Sequence, residues 1–419
     1  MRLILFLLLI TTVFGDSTNI IITINETLSN FNPEVFDSLI SQLNGTDWTN
    51  ENNETLLHLS SKFGYFEASK ALIEKDPQLV NVVDKKHEGP LHKASENGHC
   101  DIVSLLLSNN ANPNLLSKFK LYLSTRPHVS ALQLAAGNGH ANCTQILLKS
   151  GAEVNHQDVE GETALLIATR HNKSEVVKTL LDFGANSSIE STYKNTALHI
   201  ASKEGYKEIV KLLVDSGADM SIRDKTDYTP LHWAANKGHH EVAKILVDGG
   251  ANTSIKTNYF GYTPLHVAAI NNKSEVVKVL VDSGANSSIK DNADYTALHK
   301  ASVEGHHEVV KVLVDGDANM LIECQGWNAL HFASYYGKHE VVAILLEAGI
   351  SSSIKNTDGY TALHLAASND RYKTVKTLVD SGADTLIKND NGLNALELAK
   401  NNYVNKRIID YLEEKTPSS

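Results

Sequence analysis

Nineteen histidines in one chain invite a metal or acid–base reading, so their spacing comes first. None lies in an HExxH pair, and the GxSxG, P-loop and GxGxxG patterns that place a nucleophile or cradle a phosphate are absent. The histidines are periodic instead. His58, His92, His199, His232, His266, His299, His331 and His364 recur at one position of a repeated phrase, and His99, His140, His239 and His306 each follow a glycine a few residues later. The repeat accounts for twelve of the nineteen, so they are expected to be structural, with no catalytic residue, no metal ligand and no cofactor. Cys100, Cys143 and Cys324 form no CxxC pair and have no zinc spacing. An odd count this low, spread so far along the chain, is expected to leave the fold without a disulfide framework.

The phrase itself reads Thr229-Pro230-Leu231-His232 and Thr263-Pro264-Leu265-His266, with alanine for proline at Ala197, Ala297 and Ala362. Counting on its fourth position gives His58, His92, Gln133, Leu166, His199, His232, His266, His299, His331, His364 and Glu397. The successive gaps are 34, 41, 33, 33, 33, 34, 33, 32, 33 and 33, so eleven units run from about residue 50 onward. Within one unit, Thr229 can cap a helix and Pro230 suits its first position, where a missing N–H costs nothing. Leu231, Ala234 and Ala235 then share one helical face, with Gly238 suited to a left-handed turn. A second helix places Val242, Ile245 and Leu246 on one face and ends at Gly250. Helices this short cannot bury an apolar face alone, so neighbouring copies must stack.

This pattern resembles the ankyrin repeat, whose signature is the T-P-L-H-x-A run with Gly-His and a closing Gly-Ala-Asp or Gly-Ala-Asn. The resemblance covers about nine-tenths of the chain and implies an all-α solenoid of about eleven helix-turn-helix repeats with β-hairpin links. It also implies that the motif histidines bond across the hairpin and turn. The expected organisation is a signal peptide over 1–15, an N-terminal capping segment over 16–50, the solenoid over 51–415 and a tail over 416–419. Residues 33–43 can form a capping helix that buries Phe36, Leu39, Ile40 and Leu43.

The N-terminus is built as a leader: a basic start at Arg2, an unbroken apolar run over 3–10, and Val13-Phe14-Gly15 before Asp16. The competing reading is a buried N-terminal helix or strand. No later stretch reaches the roughly 20 apolar residues of a membrane span. A net charge of -11 argues against a nucleic-acid or anionic-membrane partner. Nine Asn-x-Ser/Thr sequons occur, of which Asn25, Asn44, Asn53 and Asn142 are expected to carry sugar. Asn172, Asn272, Asn186, Asn252 and Asn286 occupy turn and helix-ending positions that suit asparagine on conformational grounds alone.

In ankyrin proteins partners usually meet the hairpins and first helices on the concave side. The residue before the motif threonine lies on that hairpin, and it is aromatic in five consecutive units: Tyr228, Tyr262, Tyr295, Trp327 and Tyr360. Tyr335 and Tyr336 fall near the same ridge. The expectation is a partner-binding row, set against simple hairpin packing. An eight-residue insertion over about 115–129, with Lys118, Phe119, Lys120, Tyr122 and Arg126, is either a functional loop or a tolerated one. The short gap before His331 coincides with Asp317 in place of glycine and Asn328 in place of threonine. The resulting expectation is a secreted, non-catalytic scaffold that binds another protein. An intracellular ankyrin adaptor and a toxin-related ankyrin tract are the alternatives.

Overall fold

The computed structural model describes Asn32, Glu34, Asp37 and residues 46–118 and 128–416. The expected leader, the sequons Asn25 and Asn44, the capping residues Phe36, Leu39, Ile40 and Leu43, and the insertion residues Phe119, Lys120, Tyr122 and Arg126 lie outside the described residues. Among those described there are 22 α-helices, one 3₁₀ helix and no extended strand, so the fold is all-α as expected. The links between helix pairs are tight turns, with isolated bridges at Thr49–Thr55, Leu116–Ser130 and Cys324–Trp327.

The chain forms two compact units, Met1–Ala197 and Leu198–Ser419. In the first, Leu56–Phe63, Pro90–Asn97, Ala131–Asn138 and Ala164–Arg170 stack in order as one layer. Phe66–Lys75, Cys100–Ser108, Ala141–Lys149 and Ser174–Asp182 stack behind them as a second layer. The second unit repeats this plan, from Pro230–Lys237 to Ala395–Asn401 in one layer and from Lys207–Asp215 to Lys406–Lys415 in the other.

The unit around His232 shows why the letters recur. Thr229 caps Pro230–Lys237 with extended backbone, and Gly238 closes it at φ 85°. Leu231, Ala234 and Ala235 are fully buried, the alanines giving the neighbouring first helix room to approach. The second helix departs from expectation. Val242 and Leu246 are buried as anticipated, but Ala243 completes the buried face and Ile245 is only half-buried. This helix is flanked by both of its neighbours, so its buried stripe is wider than one face and centred one residue earlier.

The expectation for the cysteines is overturned. Cys100 and Cys143 form a disulfide, with Cα atoms 4.8 Å apart. Cys100 opens the helix Cys100–Ser108 and Cys143 lies in the first turn of Ala141–Lys149, and these two helices are stacked neighbours. In a repeat protein one period of sequence returns the chain to its own side, so a 43-residue separation becomes a direct contact. The bond also closes the repeat junction that holds the insertion. Cys324 is free and buried.

The irregular gaps have local causes. In a regular link the Asp224 carboxylate accepts from the N–H groups of Thr226 and Tyr228, and Asp227 takes a left-handed φ of 68°. Asp84, Asp158, Asp291, Asn356 and Asn389 hold their turns in the same way. The ninth unit has Cys324 at this position, and the turn shrinks to two residues, Gln325 and Gly326, both at positive φ. Paired hydrogen bonds between the Cys324 and Trp327 backbones close it, which removes one residue from the period. In the seventh unit Thr257 accepts only from Tyr262, and the turn gains a residue.

Asp317 adopts the left-handed φ of 59° that its glycine counterparts take. Asp317→Gly is therefore expected to raise stability by a few tenths to about 1 kcal/mol, net of glycine's extra unfolded-state freedom. Urea midpoints of the two proteins measure this, and an unchanged or lower midpoint would show that Asp317 carries no strain.

Candidate protein-binding ridge

Each motif histidine is a latch between units. At His232, Nδ1 receives the Thr229 hydroxyl at 2.7 Å and the Thr229 N–H at 3.3 Å. A backbone N–H can only donate, so Nδ1 is an acceptor and Nε2 carries the proton. Nε2 then donates to the Tyr262 carbonyl of the next unit at 3.0 Å. His58, His199, His266 and His364 make the same step to Glu88, Tyr228, Tyr295 and Leu393. His299 and His331 reach Ile322 and Ile354 instead. Burial pushes His92, His232 and His299 down to about 4, because a charged ring would lose its hydration inside the stack. The Gly-His histidines are ties as well: His99, His140, His239 and His306 point back to the Lys62, Glu96, Lys203 and Ile270 carbonyls of the preceding unit.

Three of those latched carbonyls, on Tyr228, Tyr262 and Tyr295, belong to the aromatic row, which lies wholly in the second unit. Tyr228, Tyr262, Tyr295, Trp327 and Tyr360 are all half-buried and sit at the base of their hairpins rather than at the tips. Each is followed by the capped motif residue, so the first helix fixes its position. Tyr228 stacks on His232 at 5.4 Å and meets Trp233 edge-on at 5.2 Å. Tyr295 and Trp327 both lie against Phe332, at 5.2 and 5.3 Å, and Trp327 also meets Tyr335 at 5.4 Å. Tyr335 is half-buried beside Trp327, and Tyr336 is 44% exposed beyond it.

Sequence models described as ankyrin repeats (3 copies) match residues 25–117, 132–224, 198–291 and 284–356, and one described as ankyrin repeats (many copies) matches 345–399. The chain belongs to the ankyrin-repeat family. Among known proteins it is similar to the ankyrin repeat and KH domain-containing protein mask of Drosophila melanogaster, 35% identical over 72 residues. It is also similar to the transient receptor potential cation channel subfamily A member 1 homolog of Caenorhabditis elegans, 39% identical over 64 residues. These alignments cover 17% and 15% of this chain but only 2% and 5% of the two relatives.

The ankyrin ridge includes residues that the row alone does not reveal. The position after the motif histidine carries Lys93, Trp233, Lys300 and Phe332, of which the first three face turn aspartates nine positions earlier. Asp84, Asp224 and Asp291 use their second carboxylate oxygen on Lys93, Trp233 and Lys300, at 2.8, 2.7 and 3.0 Å. The signal for this pairing was a lone Asp-to-Lys or Asp-to-Trp spacing of nine, visible only once the turn is known. Tyr259 and Phe260, 82% and 53% exposed, crown the enlarged seventh hairpin and were foreshadowed only by the gap of 34. All the described sequon asparagines are exposed, Asn53 and Asn142 among them, and Asn142 stands next to the bonded Cys143. Among the described residues no group of three His, Cys, Asp or Glu is placed to hold a metal ion. Nor is any described helix long and apolar enough to cross a membrane.

Proposed function

We propose that this chain is a secreted, non-catalytic scaffold that binds a protein partner along its aromatic ridge. The row of five half-buried aromatics carries the reading: one ring per unit at a fixed hairpin position, with the Tyr228, Tyr262 and Tyr295 carbonyls latched by histidines. Large rings held by their neighbours bind with little further loss of conformational freedom. Trp327→Ala and Tyr295→Ala are each expected to cost at least about 2 kcal/mol of affinity for the partner recovered by affinity purification from the native source. Because both rings touch Phe332, a smaller fall in melting temperature accompanies the loss. A fall in melting temperature with affinity intact rejects the ridge as a binding face.

Secretion is supported by the Cys100–Cys143 disulfide, a bond that persists in oxidising compartments and is rare in the cytosol. The exposed sequons at Asn53 and Asn142 and the leader-like N-terminus agree with it. Expression in a eukaryotic cell should deliver medium-borne protein that begins near Asp16, carries sugar on at least one of Asn25, Asn44, Asn53 or Asn142, and has Cys100 and Cys143 oxidised. Cytosolic protein that keeps Met1 and both thiols overturns the address.

A further inference from the structure

Along the ridge, aromatic faces and carboxylates are repeatedly matched by one of the chain's own lysines. The Lys300 ammonium lies 4.2 Å from the Tyr295 ring centre and 5.3 Å from that of Tyr262, and pairs with Asp291 at 3.0 Å. Lys203 stands 4.5 Å over Trp233, whose indole N–H is held by Asp224. Lys93 is enclosed by Asp84, Glu88 and Glu54. The full group, a cation over an aromatic face with a carboxylate beside it, is assembled at Lys300.

The tenth unit has the aromatics and the carboxylates but no lysine. A pocket of about 650 Å³ is walled by Trp327, Tyr335, Tyr360 and Leu365, with Asp358 and Asp390 at its edge and no Lys or Arg in its lining. Among the described residues neither aspartate has an ion-pair partner, and no cation covers these three rings. Leu365 occupies the position held by Lys93 and Lys300 in their units. A second observation concerns Asn356, which also lines the pocket and is 6% exposed. Its Oδ1 accepts from Asp358 and Tyr360, which fixes the amide's orientation, and its Nδ2 has no acceptor. A buried donor without a partner is costly, and Asn389 at the same turn position of the next unit leaves its Nδ2 buried without an acceptor as well.

We infer that this pocket seats an arginine or lysine side chain on an extended segment of the protein partner. The cation sits between the rings and the two aspartates, as Lys300 sits between Tyr295 and Asp291 in its own unit. The inference rests on the ridge being the binding face and adds the chemistry of what binds there.

The probe is a fluorescein-labelled nonapeptide of glycine and serine with one central arginine, titrated into the full chain at low salt. Citrulline and glutamate versions serve as its controls, since citrulline keeps the shape of arginine without the charge. The arginine peptide should bind at least tenfold more tightly than either. Asp358→Asn with Asp390→Asn should erase that preference. Leu365→Lys should erase binding altogether, by filling the seat as Lys300 does in its own unit. Equal affinity of the three peptides, no binding of the arginine peptide, or a preference that survives both sets of changes overturns the proposal. Native partner retained by the double variant but lost with Tyr228→Ala keeps the ridge and rejects the cation seat; native partner indifferent to all of them rejects the ridge itself.

Discussion

Lowering the pH from 7 to 4.5 should destabilise both units severely, with urea midpoints falling most steeply below pH 6.5. The cause is the latch. His92 in the first unit and His232 and His299 in the second are held neutral by burial, down to about 4 from an ordinary value of 6.5. Burial also lowers His58, His266, His331 and His364. The sign follows from proton binding. Above pH 6.5 neither folded nor unfolded chain protonates these rings, and the stability they support is fully present. Between 6.5 and about 4 the unfolded chain takes up protons that the folded chain refuses, so stability is lost as pH falls. Each such ring contributes a slope of about 1.4 kcal/mol per pH unit in that window. Protonation would also put a proton on Nδ1, where the motif threonine already donates.

The third unit offers the control. Gln133 accepts from the Ser130 N–H through Oε1 and donates to the Glu162 carbonyl at 2.7 Å, performing the latch without a titrating ring. His232→Gln should therefore keep most of the stability at pH 7 and flatten the second unit's acid slope by about one ring's share. Midpoints that are flat between pH 7 and 4.5 would refute the latch as the acid-sensitive element.

Lys93→Met is expected to cost about 3–5 kcal/mol at pH 7, measured by urea unfolding. The Lys93 side chain is 7% exposed and lies 2.6 Å from Glu88, 2.8 Å from Asp84 and 3.6 Å from Glu54. Burial by itself would push its ammonium down, yet the surrounding carboxylates carry it well above the ordinary lysine range. Asp84 likewise stays below the usual carboxylate range despite its burial, because Lys93 bonds to it. Removing the lysine leaves three carboxylates facing each other around an apolar side chain. Glu88→Gln in the same protein should return at least about 1 kcal/mol by removing one of the like charges. A loss below about 1 kcal/mol for Lys93→Met would show that the carboxylates regain water once the lysine is gone.

What the sequence determined by itself is everything that acts within one unit. A threonine cap, a proline at the first helical position and a left-handed turn residue act over three or four residues, so their types name their conformations. Asn172 and Asn272 at φ 54° and 55°, and Asp317 at 59°, took the backbone their positions implied. The period of 33 fixed the all-α stack because helices this short are stable only against copies of themselves. What the tertiary structure alone decided lies one period away in sequence. The Cys100–Cys143 bond, the histidine reaching the next carbonyl, the Asp291–Lys300 pair under Tyr295 and the gathering of Trp327, Tyr335 and Tyr360 around one pocket all depend on how one hairpin docks on the next. Docking depends on register and on single residues gained or lost in the turns, as at Cys324 and Thr257. Residue spacing records such a gain or loss, but only the stacked backbone shows which side chains it brings together.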